Sequence, residues 1–369
     1  MAETTYLYVG NWGIDERRPE HGFGIFRFDG RTGGATPVKR VYEEARVGAA
    51  CFHPARKDVL YFVDERVSCD GKGYGGGQVI AVRLDPATGD MAEINRRSTF
   101  APLPSYVCTD KAGRYLLVAN HGAFGAVTKT ARDSCGEYHV AIVRDDSGIV
   151  LYPLGSDGFI GAPSDIFHLW GSGPLDEQQS SHPHIVKMAP DGSVFAVCDR
   201  GADMVYLFQI DRERDRLFLC AGHRCAPGSS PRHCVFHPTL PYLVANNETR
   251  PVLSVFRYGR SELAHVCDAS ALPSDAPAGE NILQSDLQIH PSGDFVYSLI
   301  RGANAISVFR FDGECASLKL LQTAPVEGKS PKGCAVTGDG RFLMVGARDS
   351  GEVCLYRIDS GGRLAFTGA

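Results

Sequence analysis

Four stretches of this chain can be laid over one another: "PHIVKMAPDGSVFAVCDRGADMVYLFQID" from Pro183, "PRHCVFHPTLPYLVANNETRPVLSVFRY" from Pro231, "SDLQIHPSGDFVYSLIRGANAISVFRFD" from Ser285 and "PKGCAVTGDGRFLMVGARDSGEVCLYRID" from Pro331. Fainter copies begin near Val47 and Pro104, and the N-terminus enters partway through a unit with "TYLYVGNW" and "FGIFRFD", which makes seven. The spacing of roughly 45 to 50 residues is that of a propeller blade. Within each unit a short strand, a turn such as "APDG" or "HPSG", an alternating strand, a polar loop, a third strand and a weaker fourth ("RLFLC", "SLKLL") follow in order. No amphipathic stretch of helix length interrupts them. The expected fold is therefore all-β, a seven-bladed β-propeller of four-stranded antiparallel blades.

A length of 369 residues would ordinarily favour two or three domains. Each blade buries its faces only against its neighbours, however, so residues 1–369 are expected to form a single domain. One feature is untidy: the first unit lacks its initial strand, which a propeller usually takes from the C-terminal tail, yet the chain stops at "GRLAFTGA", just after a fourth strand. Either blade one is a strand short or closure is unconventional.

The formal net charge of −5, with no Lys/Arg run, excludes a general nucleic-acid binder. No apolar run reaches the ~18 residues of a membrane span, and "MAETTYLYVG" does not read as a leader, so a cytoplasmic protein without membrane partners is expected. The 12 cysteines include no CxxC pair; Cys108, Cys198, Cys234, Cys334 and Cys354 sit in apolar runs and read as reduced core residues rather than disulfides or zinc ligands. Oligomeric state is not legible.

The repeat also locates a face. Six residues before the turn position occupied by Pro190, Pro238 and Pro291 (Lys111 and Gly338 in the other copies) stand Ser105, His184, Arg232, Ser285 and Lys332, with Asp286 one residue further on. Ten residues after it stand His121, Arg200, Glu248, Arg301 and Arg348, and blade two places Glu65 there. In an antiparallel pair the start of one strand lies beside the end of the next, so both sets should meet at one end of the ring axis. Such a collection of cations suits a small anion, a phosphate or carboxylate, which arginine binds through paired charge-assisted hydrogen bonds. His53, His237 and His290 fall in the first hairpin at the opposite end and read as turn residues, as do Asp211, Asp312 and Asp359 after the third strand. His182 and His184 flank Pro183 and lack further ligands nearby, so neither metal nor cofactor is expected.

The sequence resembles the lactonase family of seven-bladed propellers over essentially its whole length. The resemblance is most specific in "GSDGFIGAPSDIFHLWGSGPLDEQQSSHPHIVKMAPDG", "PRHCVFHP" with "VANNE", "SDLQIHPSG" with "IRGAN", and "SPKGCAVTGDGRFLMVGARD". That family includes metal-independent hydrolases of 6-phosphogluconolactone and a carboxymuconate-lactonizing enzyme. The resemblance implies a catalytic cluster at His184, Arg232, Glu248 and Arg301. "SPKG" departs from it, with Lys332 where Arg is common. A lactone hydrolase needs an activated water, a donor for the developing oxyanion and an anchor for remote charge. On that basis His184 or Glu248 is the base, Arg232 and Arg301 hold the oxyanion or carboxylate, and Arg200, Lys332 and Arg348 hold a phosphate or second carboxylate. Asp286, His182, His121, Glu65 and Tyr106 complete the expected substrate contacts. Crowded cations should keep Glu248 ionised and His184 neutral.

Three activities fit: hydrolysis of a small anionic sugar lactone, 6-phosphogluconolactone foremost; cycloisomerisation of a carboxymuconate; or binding without catalysis. A long insertion at about 122–147 joins strands two and three of blade three and should hang over the same face as a lid or contact surface, with the long polar loops "GIDERRPEHG" and "VSCDGKGYGGG" of blades one and two beside it.

Overall fold

The computed structural model describes residues 5–13, 21–69, 75–273 and 282–368, so the long polar loops of blades one and two lie partly outside the described residues. Six sheets have four antiparallel strands each, and a seventh has three. Blade four is representative, with strands Pro183–Met188, Phe195–Asp199, Met204–Asp211 and Arg216–Arg224 running in sequence order from the innermost outwards. Blades two, five, six and seven repeat this order. Blade three does too, once a separate two-stranded hairpin, Ala126–Arg132 with Tyr138–Arg144, is set aside. The only helical element among the described residues is a single turn of 3-10 helix, Asp176–Gln178.

Of the two outcomes the sequence leaves open for blade one, the structure has the blade a strand short among the described residues. Its strands Thr5–Asn11, Gly22–Asp29 and Gly34–Val41 match strands two to four elsewhere, and no inner strand accompanies them among the described residues. The C-terminal strand Leu364–Phe366 pairs with Glu352–Ile358 and so belongs to blade seven. Blade seven instead meets blade one through side chains. Phe342 meets Phe28 edge-on at 5.9 Å, and Arg341 Nη2 donates to the Gly30 carbonyl at 2.7 Å. Gly33, at φ 82°, leaves the space that the Phe342 ring occupies, since a Cβ there would stand 2.6 Å from it.

Second strands such as Val59–Asp64 and Tyr115–Asn120 are buried along their whole length, because both faces of a blade are covered by neighbours. The apolar cores accordingly lie between consecutive blades. Cys198, Leu207, Cys234, Leu243 and Phe256, for instance, fill the space between blades four and five. Truncating Leu243 to Ala there should cost about 2–5 kcal/mol. All 12 cysteines are free thiols; Cys108, Cys198, Cys234 and Cys354 are buried and Cys334 half-buried.

The turn histidines also join blades. His53 Nδ1 accepts the backbone N–H groups of Ala55 and Arg56, and its Nε2 donates to Gly113 O of blade three. His237 caps its own turn through Thr239 and Leu240 and lies against Gly293, where a Cβ would come within 2.4 Å. His290 donates to Gly340 O in the same manner. These contacts all lie at the end of the ring remote from the ionic residues.

Candidate active site

A local irregularity recurs in six inner strands. Pairing with the second strand slips between Val47 and Ala50, Pro104 and Tyr106, Pro183 and Ile185, Pro231 and Cys234, Gln284 and Leu287, and Pro331 and Gly333. The slips contain the ring positions Gly48, Ser105, His184, Arg232, Ser285 and Lys332. A bulge leaves its residue outside the ladder and re-aims the side chain, here toward the axis. The second set is fastened alongside by repeated backbone hydrogen bonds: Glu65 N to Arg46 O, His121 N to Leu103 O, Arg200 N to His182 O, Glu248 N to Ser230 O and Arg348 N to Ser330 O, at 2.8–3.1 Å. Arg301 pairs with Leu283. Both sets thus open on one mouth.

Glu248 is the centre of the cationic part. Arg200 Nε lies 2.7 Å from its Oε2, Arg232 Nε 3.7 Å from its Oε1, and Arg301 Nη2 donates to Oε1. Burial alone would push this carboxyl up, but Arg200, Arg232, Arg301 and Lys332 more than reverse that and hold it at about 2. Arg232 is only 2% exposed and is pinned by its Nη1 donating to Ser285 O at 2.7 Å; burial and the neighbouring Arg301 and Arg200 outweigh Glu248 and bring its guanidinium down to about 10. Four buried polar atoms here have no hydrogen-bond partner: His184 Nδ1, Arg200 Nε, Arg301 Nε and Glu248 Oε2. For Arg200 and Glu248 the close ion pair is therefore not an aligned hydrogen bond. Buried polar atoms are rarely left unpaired, and this concentration marks a place built for a polar ligand.

His184 faces this cluster from blade four. Burial, then Arg232, His233, His121 and Lys332, drives its imidazole well below the usual histidine range, so it is neutral at pH 7. His121 is stacked on His182 at 4.4 Å and donates from Nδ1 to Gly122 O, leaving Nε2 to accept from Arg200 Nη1 at 3.4 Å. His182 is 1% exposed. Its Nδ1 donates to His121 O, and Phe124, at the root of the insertion, covers it. It packs beneath the rim rather than standing in a free loop. Asp199 holds that corner by accepting from His182 N, Gly201 N and Ala202 N.

Below the mouth lies a second layer. Asp286 Oδ1 accepts from His233 Nδ1 at 2.7 Å and Oδ2 from Cys334 N, while Tyr106 meets the His233 ring edge-on. His233 also lies 5.1 Å from the His184 ring. Sequence reasoning passed over His233, although it occupies the same offset in blade five as Asp286 in blade six. Lys187 of blade four was missed as well; its charge interacts with Tyr106 and Asp286.

Glu65 and Lys332 form the remaining part. Blade two has Gly48 where other blades carry a side chain, and Glu65 fills that room: a Cβ on Gly48 would stand 2.0 Å from Glu65 Oε2. Burial raises the Glu65 carboxyl to about 7, against the pull of Lys332, Arg232 and Arg46. Burial, with Arg232 and Arg301, lowers Lys332 to about 7, against Glu65 and Glu248. Arg348 does not join either group, since its Nε is engaged by Asp349 at 2.8 Å.

The insertion is a hairpin with an almost wholly exposed surface; at its base Phe124 lies against His121, His182 and Arg200, and Arg144 donates to Gln179 Oε1. Among the described residues no group of three His, Cys, Asp or Glu is placed to hold a metal ion. What the mouth offers is a neutral imidazole, an ionised carboxylate fixed by three guanidiniums, and a carboxyl poised near neutrality. That set can bind an anionic ester and move protons around it.

Residues 7–369 match the family model described as "Lactonase, 7-bladed beta-propeller". The chain is 25% identical over 370 residues to a 6-phosphogluconolactonase of Bacillus subtilis, covering 97% of this chain and 94% of that protein. It is 23% identical over 359 residues to a 6-phosphogluconolactonase of Formosa agariphila, covering 96% and 92%. Among solved structures, the periplasmic gluconolactonase of Pseudomonas aeruginosa aligns with a TM-score of 0.84 at 24% identity, over 98% of this chain and 94% of that one.

Proposed function

Since the chain belongs to the lactonase family of seven-bladed β-propellers, we propose that it hydrolyses a small anionic sugar lactone, 6-phosphogluconolactone, to the open-chain acid. The two relatives named 6-phosphogluconolactonase support the substrate. The observation that carries the reading is the group of buried polar atoms around Glu248 that make no aligned hydrogen bond, all at one mouth: His184 Nδ1, Arg301 Nε, and the ion-paired Arg200 Nε and Glu248 Oε2.

His184 is the base toward water in this reading. It is neutral, and its buried Nδ1 has a free position. Glu248, held at about 2 by its guanidiniums, is too weak a base and serves to align them. Arg232 and Arg301 stabilise the tetrahedral oxyanion, and Arg200 with Lys332 receives the phosphate. Burial is the largest cause of the depressed His184 and the cations come after it; binding an anion among these cations offsets that second part. Water adds its oxygen to the lactone carbonyl carbon, and its proton passes to His184.

The unpaired state of all 12 cysteines favours a cytoplasmic setting, which fractionation would test. For the activity, a pH-stat assay with 6-phosphogluconolactone is run beside an absorbance assay with a carboxymuconate. Uptake of base above the spontaneous rate, with the muconate unchanged, is the expected result; a muconate signal alone would replace hydrolysis with cycloisomerisation, and silence in both would leave a binding protein.

A further inference from the structure

Ester cleavage needs a second proton transfer. When the tetrahedral intermediate collapses, the bond from carbon to ring oxygen breaks and its electron pair stays on that oxygen, which leaves as an alkoxide unless protonated. His184 holds the proton taken from water, and the arginines around Glu248 donate hydrogen bonds but do not give up protons near neutral pH.

Among the described residues blade one contributes no inner strand, so Lys332 of blade seven and Gly48 of blade two are the ring positions on either side of it. Glu65 projects into this part of the mouth. Its carboxylate lies where a side chain on Gly48 would begin, with Oε2 2.0 Å and Cδ 3.0 Å from the ideal Cβ position, and any residue but glycine at 48 would displace it. Unlike Glu248, Glu65 forms no ion pair within 4.0 Å among the described residues, although Lys332, Arg232 and Arg46 interact with it electrostatically. Lys332 in turn interacts electrostatically with His184 and Glu248 as well as with Glu65.

We propose that Glu65, seated over Gly48 next to blade one, is the catalytic acid that protonates the leaving ring oxygen, with Lys332 as its positioning partner. The inference rests on the hydrolytic reading above. Its proton balance is complete. The C–O ring bond breaks, the ring oxygen takes the Glu65 proton and becomes a hydroxyl, and the new carboxyl ionises. The proton on His184 then returns to Glu65 through pocket water. Burial that holds Glu65 near 7 keeps this proton present at working pH.

The test uses the full chain and 6-phosphogluconolactone, with rates measured from pH 5 to 9 and corrected for spontaneous opening. Wild type is expected to be active with kcat falling above about pH 7. Glu65→Gln should lower kcat by about 10²-fold with little change in KM and should abolish the alkaline fall. Gly48→Ala, which displaces Glu65 without removing it, should also lower kcat, and Glu65→Asp should restore part of the loss from Glu65→Gln. Thermal unfolding of each variant confirms that it is folded. If a folded Glu65→Gln keeps the wild-type rate and alkaline limb, or raises KM alone, the acid role is overturned while hydrolysis stands. An inactive wild type overturns the hydrolytic reading, and this inference with it.

Discussion

Glu248 and Glu65 occupy the same ring position in blades five and two and both enter the same mouth, the first buried and the second half-buried, yet their carboxyls titrate at about 2 and about 7. The difference is in their company. Arg200, Arg232 and Arg301 all reach Glu248 directly, whereas among the described residues no cation comes within 4.0 Å of Glu65, and Lys332, Arg232 and Arg46 act on it from further away. Burial penalises charge wherever it occurs; the number of fixed cations in contact decides whether that penalty is overcome. One fold position thus yields a permanent anion that organises arginines and a proton carrier that works near pH 7.

The largest effect should come from removing the first. Glu248→Gln leaves three guanidiniums facing one another, and should destabilise the protein by about 3–5 kcal/mol as well as abolish turnover, read by thermal unfolding and the lactone assay. Equal stability in the variant would break the comparison at once. Next, Arg232→Met should lower kcat by about 10²–10³-fold through loss of an oxyanion donor. His184→Ala should lower kcat by about 10²-fold; intact turnover there would remove the base from the scheme.

Lys332→Met sharpens the other half. Because Lys332 pulls Glu65 down, its loss should move the alkaline limb of kcat to higher pH. The smallest effect concerns stability. A carboxyl raised above its unfolded value contributes stability that is present below the usual glutamate range and is lost as pH rises through about 7. Glu65→Gln should therefore gain in Tm relative to wild type between pH 5 and 7.5. Glu248 has the opposite sign, its contribution being lost only as pH falls from the usual glutamate range toward about 2, so Glu248→Gln should show no such gain.

Much of this geometry is legible in the repeat. Counting from the turn prolines finds His184, Arg232, Glu248 and Arg301, because the blade period preserves which end of a strand a residue occupies. The bulges are not legible, since slippage is a property of pairing and leaves no mark on alternation. His233 was within reach of the same counting and needed only the adjacent offset. Arg348 shows the limit of register: its backbone falls in place beside Ser330, but its side chain is taken by the neighbouring Asp349. The hairpin at 126–144 reads as loop because its strands carry Thr, Lys and Arg with few apolar residues on the first, and two strands alone bury little. The Glu65 setting was hidden most deeply, for it combines a glycine, a blade with three strands among the described residues and a lysine from the far end of the chain.

Difference infrared spectroscopy of the carboxyl region tests the central contrast most directly. At pH 6 the wild-type protein should show a buried protonated carboxyl band that disappears as pH passes about 7, is missing from Glu65→Gln and persists in Glu248→Gln. A band lost in Glu248→Gln and kept in Glu65→Gln would contradict the account.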